Sequence, residues 1–355
     1  MEELGYNDQL EAFRIENKLE DFEYGRVIAE HKERYVVRTA QAELEAEITG
    51  HIRFTAKSRL DFPAVGDWVA LKTYESDFAL IQHIFPRFSA IKRKAVGHFG
   101  EVQLIAANVD FAFLVQAVDR DFNVNRLERY LTICNDARVS PVIVLSKIDL
   151  IAESRIQEIV SFVHARIVDV PVIAFSNETL KGIDQLQTLI QRGKTYCLLG
   201  SSGVGKSTLL NNLLGRSVMQ TGAISQHNNK GKHVTSHREL LVMENGGILI
   251  DNPGMREVGI TDTIDGLEMT FDRIMQLSQD CKFKDCTHTN EIGCCVLEAV
   301  ENGDLEQGSY ENYLKMLKEK SHFESTVSER REKEKAFGRF FKNYKKEMKK
   351  KREQE

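Results

Sequence analysis

The sequence predicts a multidomain protein with an N-terminal β-barrel, a central α/β domain and a C-terminal α-helical module. Three observations support this: five short strand-like segments fall within residues 24–85, apolar strands alternate with helices from about residue 100, and four cysteines cluster within residues 281–295. The predicted domains are an N-terminal extension (1–22), the barrel (23–88), the α/β domain (89–268) and a metal-binding module with a basic helical tail (269–355).

Composition restricts the class of protein. Of the 355 residues, 42% are apolar and 28% are charged, which is enough for several buried cores. The chain begins with an acidic segment, and no uncharged apolar run approaches the roughly 18 residues that span a bilayer. Six cysteines in a chain of this length are too few for a disulfide scaffold. We therefore expect a soluble, cytoplasmic protein with no membrane partner.

The carboxyl end differs in charge from the rest of the chain. Residues 329–355 carry twelve Lys or Arg against six Glu, whereas the whole chain has a net charge of −5. Aromatic side chains are interleaved with the basic residues at Phe337, Phe340, Phe341 and Tyr344. This pattern favours an anion-binding surface, because aromatic rings stack on bases; a solvated helix end is the alternative.

The barrel prediction rests on the segments YGRVIAE, RYVVRTA, ELEAEIT, GDWVALKTY and FALIQHI, which charged or Gly/Pro turns separate. Five short strands in so few residues indicate an OB-fold, and an SH3-like barrel fits the same pattern. Such a barrel either binds RNA or serves as a packing module.

The central region reads as a doubly wound sheet. Near-continuous apolar runs, typical of strands buried on both faces, occupy residues 111–118, 141–146, 170–176, 195–200 and 246–251. Helical periodicity lies between them; for example, Ile156, Ile159, Val160 and Val163 share one face. The alternation predicts parallel strands joined by crossover helices.

A phosphate-binding loop lies at the middle of the chain. Gly200-x4-Gly205-Lys206-Ser207 follows a predicted strand and opens a helix, which is the context that makes this motif specific for nucleoside triphosphates. Lys206 is expected to reach the terminal phosphates, and Ser207 to ligate Mg²⁺. The expected nucleotide contacts on this loop are Gly200, Ser201, Ser202, Gly203, Val204, Gly205, Lys206, Ser207 and Thr208.

The motifs around the loop indicate that the bound base is guanine. Ser146-Lys147-Ile148-Asp149 ends an apolar strand, and the Asp149 carboxylate can accept from the ring N–H and the exocyclic amine of guanine. Lys147 is expected to lie along the base. Ser176-Asn177 ends the next strand, where a backbone amide can meet the guanine carbonyl. Adenine lacks the donor pair that Asp149 requires.

A fourth motif, Asp251-Asn252-Pro253-Gly254, ends the strand after the phosphate loop. Asp251 is expected to hold Mg²⁺ through water, and the Gly254 amide to contact the γ-phosphate. In an ordinary GTPase the guanine motif follows the phosphate loop, but here it precedes it. The order therefore indicates a circularly permuted P-loop GTPase.

The complete motif order resembles the ribosome small-subunit-dependent GTPase A (RsgA) family, also called YjeQ or YloQ. The resemblance covers about residues 24–300 and includes VGDWV (65–69), IAANVD (105–110) and GKHVTSHREL (231–240). It implies an OB-fold, a permuted GTPase core, a zinc domain and action in late maturation of the small ribosomal subunit. The implied partners are that subunit, its rRNA and GTP or GDP, and we expect a monomer.

Two residues depart from the family pattern at the guanine end: Ser146 stands where Asn is usual, and Asn177 where Ala is usual. In the switch loop, the resemblance assigns the Mg²⁺ contact to Thr235, with Ser236 as the alternative.

The resemblance also points to a zinc site. Cys281, Cys286, His288 and Cys294 supply three thiolates and an imidazole, a ligand set that suits structural tetrahedral zinc. The family spacing favours Cys294 over its neighbour Cys295 as the fourth ligand.

The residue that positions the attacking water differs from that of Ras-like enzymes. Met255 stands where Ras-like enzymes place a glutamine, and a thioether cannot orient water. The family also carries an apolar residue there, which implies slow turnover alone and stimulation by the small subunit. His233 is the candidate for positioning water; a structural or ribosome-contacting role is its alternative.

The preferred function is therefore a GTPase that binds the small ribosomal subunit, hydrolyses GTP there and leaves. A nucleotide-gated RNA-binding or scaffold protein, and a GTPase acting on tRNA or a translation factor, are the alternatives.

Overall fold

The computed structural model describes residues 1–31, 34–74, 77–94, 102–119, 122–215, 238–251 and 264–321. Within these residues, none of the helices combines the length and the apolar character needed to cross a membrane. The basic tail, residues 329–355, lies outside the described residues.

The N-terminal domain is a closed five-stranded barrel. Its strands are β1 (Glu23–His31), β2 (Arg34–Arg38), β3 (Glu43–Ile48), β4 (Trp68–Thr73) and β5 (Phe78–Ile84). They pair in the order β1-β2-β3-β5-β4, and β1 also pairs with β4, which closes the barrel. Helix α2 (Gly50–Thr55) connects β3 to β4. The OB-fold prediction is confirmed, and all five predicted strands are present.

Alternating side chains fill the barrel. On β3, Leu44, Ala46 and Ile48 are buried, whereas the intervening glutamates face outward or are half-buried. This period of two places every second residue in the core.

The N-terminal extension packs on the barrel. Its helix α1 (Asp8–Glu16) begins at Asn7, whose side chain accepts hydrogen bonds from two backbone amides of the first turn. Tyr6 contacts the rings of Tyr24 and Trp68 at centroid distances of 4.5 and 5.0 Å. A separate hairpin, β6 (Ala90–Lys94) and β7 (Val102–Ala107), leads from the barrel to the central domain.

In the described part of the central domain there are six strands and four α-helices. The strands are β8 (Phe111–Ala117), β9 (Ser140–Ser146), β10 (Val172–Ala174), β11 (Thr195–Leu199), β12 (Arg238–Val242) and β13 (Ile248–Asp251). The helices are α3 (Val124–Ala137), α4 (Glu153–Arg166), α5 (Ile183–Leu189) and α6 (Lys206–Leu214). The strand order is β10-β9-β8-β11-β13-β12, and the first five strands are parallel.

The sheet is buried on both faces, as predicted. Ala112 and Leu114 of β8 pack in one apolar cluster with residues of α3 and α4, whereas Phe113 and Val115 pack in a second cluster with residues of α5 and α6. This split confirms the doubly wound architecture.

Strand β12 was not predicted from the sequence, and it runs antiparallel to β13. The short turn between them permits only an antiparallel pair, because parallel strands need a long crossover. Its other edge pairs with the barrel, with Ala29 of β1 opposite Glu239. The barrel and the central domain therefore share one continuous eleven-stranded sheet.

The C-terminal module is helical. It contains α7 (Ile264–Thr270), α8 (Asp272–Ser278), α9 (Cys295–Asn302) and α10 (307–321). Leu267, Phe271, Ile274, Val296 and Met316 lie in its own apolar core. Helix α7 packs closely on α3, since a Cβ at Gly266 would lie 2.5 Å from the Thr132 carbonyl oxygen.

A buried polar network joins α10 to the central domain. Glu128 of α3 is only 2% exposed, and it accepts hydrogen bonds from Arg166 at 2.7 and 2.8 Å and from Asn312 at 2.6 Å. Arg129 makes a two-point ion pair with Glu319, with N–O distances of 2.7 and 2.8 Å. Bidentate pairs of this kind fix orientation as well as position.

A second buried polar centre lies at Arg26 of β1, which is 1% exposed. Burial lowers the pKa of Arg26 to about 10, so the guanidinium stays protonated at neutral pH. It donates to four oxygens at 2.5 to 3.1 Å: the carbonyls of Leu4, Gly66 and Asn108, and the hydroxyl of Thr195. One side chain thus connects the extension, the barrel, the β7–β8 link and β11.

We expect Arg26→Met to lower the free energy of unfolding by about 3 kcal/mol or more, because several buried acceptors lose their donor. Chemical denaturation followed by the fluorescence of Trp68, the single tryptophan, measures this. Arg34→Ala is the control, since that side chain is 73% exposed, and it should change stability by less than about 0.5 kcal/mol. Equal stability of the Arg26 variant and the parent contradicts the prediction.

Candidate nucleotide site and metal centre

The predicted nucleotide motifs meet at one edge of the central sheet. Ser146 ends β9, Ser176 follows β10, Gly200 follows β11 and Asp251 ends β13. Parallel strands present their carboxyl ends at the same edge, which is where ligands bind in open α/β sheets. The permuted chain order therefore leaves the motifs side by side.

The phosphate loop joins β11 to α6. Gly200 approaches the neighbouring strand so closely that a Cβ would lie 2.3 Å from the Val115 carbonyl oxygen. Gly205 has φ +93° and caps α6, a conformation that L side chains rarely adopt. Lys206 donates from Nζ to the carbonyls of Gly200 and Ser201 at 2.7 and 2.5 Å, so its ammonium group lies over the loop.

Other predicted loop residues take defined positions. Ser207 and Thr208 occupy the first turn of α6, Ser202 and Gly203 are exposed, and Val204 is buried in the core. Sequence reasoning missed Arg126 of α3, whose Nη1 donates to the Ser201 hydroxyl at 3.0 Å.

The predicted guanine-binding end is organised by hydrogen bonds between its two motifs. Ser176 donates from Oγ to the Asp149 carboxylate at 2.5 Å, which orients that carboxylate. Lys147 has φ +63°, and its Nζ lies 2.8 Å from Asp119, the residue shortly after β8. Asp119 was also missed from the sequence.

The two departures from the family pattern both contact the phosphate loop. Ser146 is fully buried and donates from Oγ to the Val204 carbonyl at 2.7 Å. Asn177 donates from Nδ2 to the Gly205 carbonyl at 3.1 Å. Ser146 thus connects the end of β9 to the phosphate loop, although it stands where the family usually has Asn.

The switch residues are only partly described. Asp251 lies at the end of β13, opposite Glu239 of β12. His233, Thr235 and Gly254, together with Ser236 and Met255, lie outside the described residues.

The predicted metal ligands lie together between α8 and α9 of the C-terminal module. The ligand atoms of Cys281, Cys286, His288 and Cys294 are all within 4.8 Å of one another. Cys281 Sγ lies 3.7 Å from His288 Nδ1 and 3.9 Å from Cys294 Sγ. His288 Nδ1 and Cys294 Sγ are 3.4 Å apart. Tetrahedral zinc, with bonds of about 2.0–2.3 Å, sets such atoms about 3.5–3.8 Å apart. The cluster therefore fits one tetrahedral metal ion.

The neighbouring thiol points elsewhere, since Cys295 Sγ donates to the Asp280 carbonyl at 3.0 Å and is not part of the cluster. The other two cysteines, Cys134 and Cys197, lie in the core of the central domain, where burial raises the pKa of Cys197 to about 12. Both are neutral thiols at physiological pH.

Hydrogen bonds around the cluster hold the loop of residues 281–294 in place. Tyr310 of α10 donates its hydroxyl to the His288 carbonyl at 2.6 Å. Glu291 accepts from the backbone amides of Thr287 and Thr289 at 2.8 and 2.9 Å. Burial lowers the pKa of His288, which favours the neutral imidazole that binds a metal. Sequence reasoning missed these supporting residues.

Comparison with protein families gives two matches. The RsgA GTPase family model matches residues 84–261, which run from the end of the barrel through the motif at β13. The ABC transporter model matches residues 183–352, less than half of the chain, and this stretch includes the same phosphate loop.

Relatives match over most of the chain. It is 40% identical over 301 residues to "Small ribosomal subunit biogenesis GTPase RsgA 1" of Oceanobacillus iheyensis, covering 84% of this chain and 85% of that one. A protein of the same name from Bacteroides thetaiotaomicron is 38% identical, with 96% of each chain covered. The crystal structure of YjeQ from Thermotoga maritima is 25% identical, with a TM-score of 0.63, 84% of this chain covered and 98% of that one.

Proposed function

Since the chain belongs to the RsgA GTPase family, we propose that it hydrolyses GTP on the small ribosomal subunit during late maturation of that subunit. GTP hydrolysis itself is the activity of the family, and the chain is a GTPase. One observation carries the proposal: the sheet that bears the nucleotide motifs is connected to two candidate binding modules. Strand β12 pairs with the barrel, and helix α3 is hydrogen-bonded to the metal module.

For nucleotide binding, Asp149 reads the guanine edge, Lys147 supports the base, and the backbone N–H of Asn177 meets the guanine carbonyl. The loop from Gly200 to Thr208 holds the phosphates. The orientation of Asp149 by Ser176 supports this assignment, because a prearranged acceptor loses little entropy on binding. Mg²⁺ is held by Ser207, by Asp251 through water and by Thr235.

For hydrolysis, His233 orients the attacking water, and Gly254 contacts the γ-phosphate. The chain lacks a glutamine after its Asp-Asn-Pro-Gly motif, where Met255 stands, so intrinsic turnover is slow. The small subunit supplies the additional stabilisation of the transition state that a glutamine would otherwise give.

The C-terminal cluster holds one structural Zn²⁺. Four protein ligands fill the tetrahedron and leave no open position for catalysis. Zinc supplies folding free energy to the module and presents it, with its basic tail, to rRNA. The protein acts as a monomer in the cytoplasm.

Nucleotide state is coupled to subunit affinity. The segment that contains Thr235 precedes β12 in the sequence, and β12 pairs with barrel strand β1. Just 26 positions separate Met255 from Cys281 of the zinc module. GTP therefore holds the barrel and the zinc module in the orientation that fits the subunit. A coupling of about 1–3 kcal/mol changes affinity roughly 5- to 150-fold.

Purified small subunits should raise the GTP turnover of this protein by at least about tenfold, since partners of GTPases can stabilise the transition state by much larger factors. Turnover is measured with small subunits, with large subunits and with neither. Lys206→Ala is the inactive control.

No stimulation by small subunits would favour the scaffold alternative. Subunit affinity is measured in the same samples with GDP and with a non-hydrolysable GTP analogue, and equal affinities contradict the coupling. Stimulation by tRNA in place of subunits would support the alternative of a GTPase that acts on tRNA or a translation factor.

Asp149→Asn should relax guanine selectivity and let XTP compete with GTP, because the new amide donates where the carboxylate only accepts. Competition of GTP and XTP for a labelled guanine nucleotide gives the ratio of affinities, which should shift toward XTP by about tenfold or more. Glu153→Gln is the control, because that carboxylate is exposed and paired with Lys181. An unchanged ratio would remove Asp149 from the base site.

The purified protein should contain about one zinc per chain. Cys286→Ser should lose the metal and expose the C-terminal module to proteolysis, while Cys295→Ser keeps both, because Cys295 lies outside the cluster. Elemental analysis and limited proteolysis measure the two effects. A metal-free protein with a protease-resistant C-terminal module would overturn the ligand set.

A further inference from the structure

The side chain of Asn177 crosses from the guanine end to the phosphate loop. It follows β10, and its Nδ2 donates to the carbonyl of Gly205 at 3.1 Å. Gly205 is the residue before Lys206, so the bond joins the base-binding end of the site to the start of α6.

The amide of Asn177 is held in one orientation by α6. Asn212 donates from Nδ2 to Asn177 Oδ1 at 3.0 Å and to the Asn177 backbone carbonyl at 3.4 Å. The opposite orientation of the Asn177 amide would set its oxygen against the Gly205 carbonyl and its NH₂ against the NH₂ of Asn212. Each group is therefore paired in only one arrangement.

The contact also depends on the glycine. A Cβ at position 205 would lie 2.5 Å from Asn177 Nδ2, so any larger residue would push the amide away. Alanine at position 177, the usual residue in the family, could make neither the bond to Gly205 nor the 3.0 Å bond from Asn212, and would keep only the longer bond from Asn212 to its backbone carbonyl.

We propose that Asn177, oriented by Asn212, is a positioning residue that latches the guanine-binding loop to the phosphate loop and slows nucleotide release. The inference rests on the proposed GTP site. Release requires the base end and the phosphate end to separate from the nucleotide, and the latch resists their movement apart. Ser146 makes a parallel tether to the preceding carbonyl, that of Val204, at 2.7 Å.

Loss of the latch should change the rate of nucleotide release without changing selectivity for guanine. Asn177→Ala should speed the release of both GDP and a non-hydrolysable GTP analogue by roughly 3- to 10-fold, the effect expected for one or two lost hydrogen bonds. Selectivity for guanine over xanthine should stay as in the parent, because Asp149 and its partner Ser176 are unchanged.

The experiment uses the full chain and fluorescent guanine nucleotides released by an excess of unlabelled nucleotide. Four variants are compared with the parent: Asn177→Ala, Asn212→Ala, the double variant, and Gln185→Ala of α5 as an exposed control. If the two asparagines act as one unit, the double variant releases nucleotide no faster than Asn177→Ala alone. Thermal unfolding without nucleotide reports any general loss of stability.

Release rates within twofold of the parent for Asn177→Ala overturn the latch. Additive effects of the two single variants overturn the role given to Asn212, and altered xanthine selectivity shows that Asn177 acts on the base instead. Failure of the parent to bind any guanine nucleotide would instead reject the proposed GTP site, so the two failures are distinguishable.

Discussion

The arrangement of the barrel against the GTPase sheet depends on one buried cation. Arg26 lies on barrel strand β1, and its guanidinium satisfies carbonyls from the N-terminal extension and from the link that precedes β8, as well as the hydroxyl of Thr195. A buried guanidinium is stable only when its N–H groups are paired, so these segments have one favourable arrangement around it. The same strand also pairs with β12, and the domain junction is therefore fixed by both side-chain and backbone bonds.

Helix α3 has a corresponding role at the junction with the metal module. Arg126 near its start contacts the phosphate loop at Ser201, while Glu128 and Arg129, within the next turn, bind α10. A packed helix transmits displacement as a rigid element, so the nucleotide loop and the metal module are linked through it as well as along the chain. Circular permutation changes which modules are covalently joined to the sheet, but it leaves the edge where the motifs meet unchanged.

Prediction from the sequence was accurate where a local pattern carries the information. Ile156, Ile159 and Val163 were placed on one face of α4, and they are buried together in the core. The Cys/His cluster was also anticipated, because cysteines and a histidine close together in the sequence can meet in space, but the choice of Cys294 over Cys295 came from the family resemblance. Strand β12 was missed although it forms a local hairpin with β13, whereas its pairing with β1 joins residues about two hundred positions apart, and no local pattern encodes that partner.

What the sequence by itself determined is therefore the set of elements and the chemistry of the motifs: the barrel strands, the buried parallel strands, the phosphate loop, Asp149 and the Cys/His cluster. Only the tertiary structure decided how they are held together. Ser146 and Asn177 looked like departures from a family pattern, but each reaches a carbonyl of the phosphate loop. The physical reason is that residue type and spacing set local conformation, whereas a hydrogen bond depends on distance in space, which the packing of distant segments alone establishes.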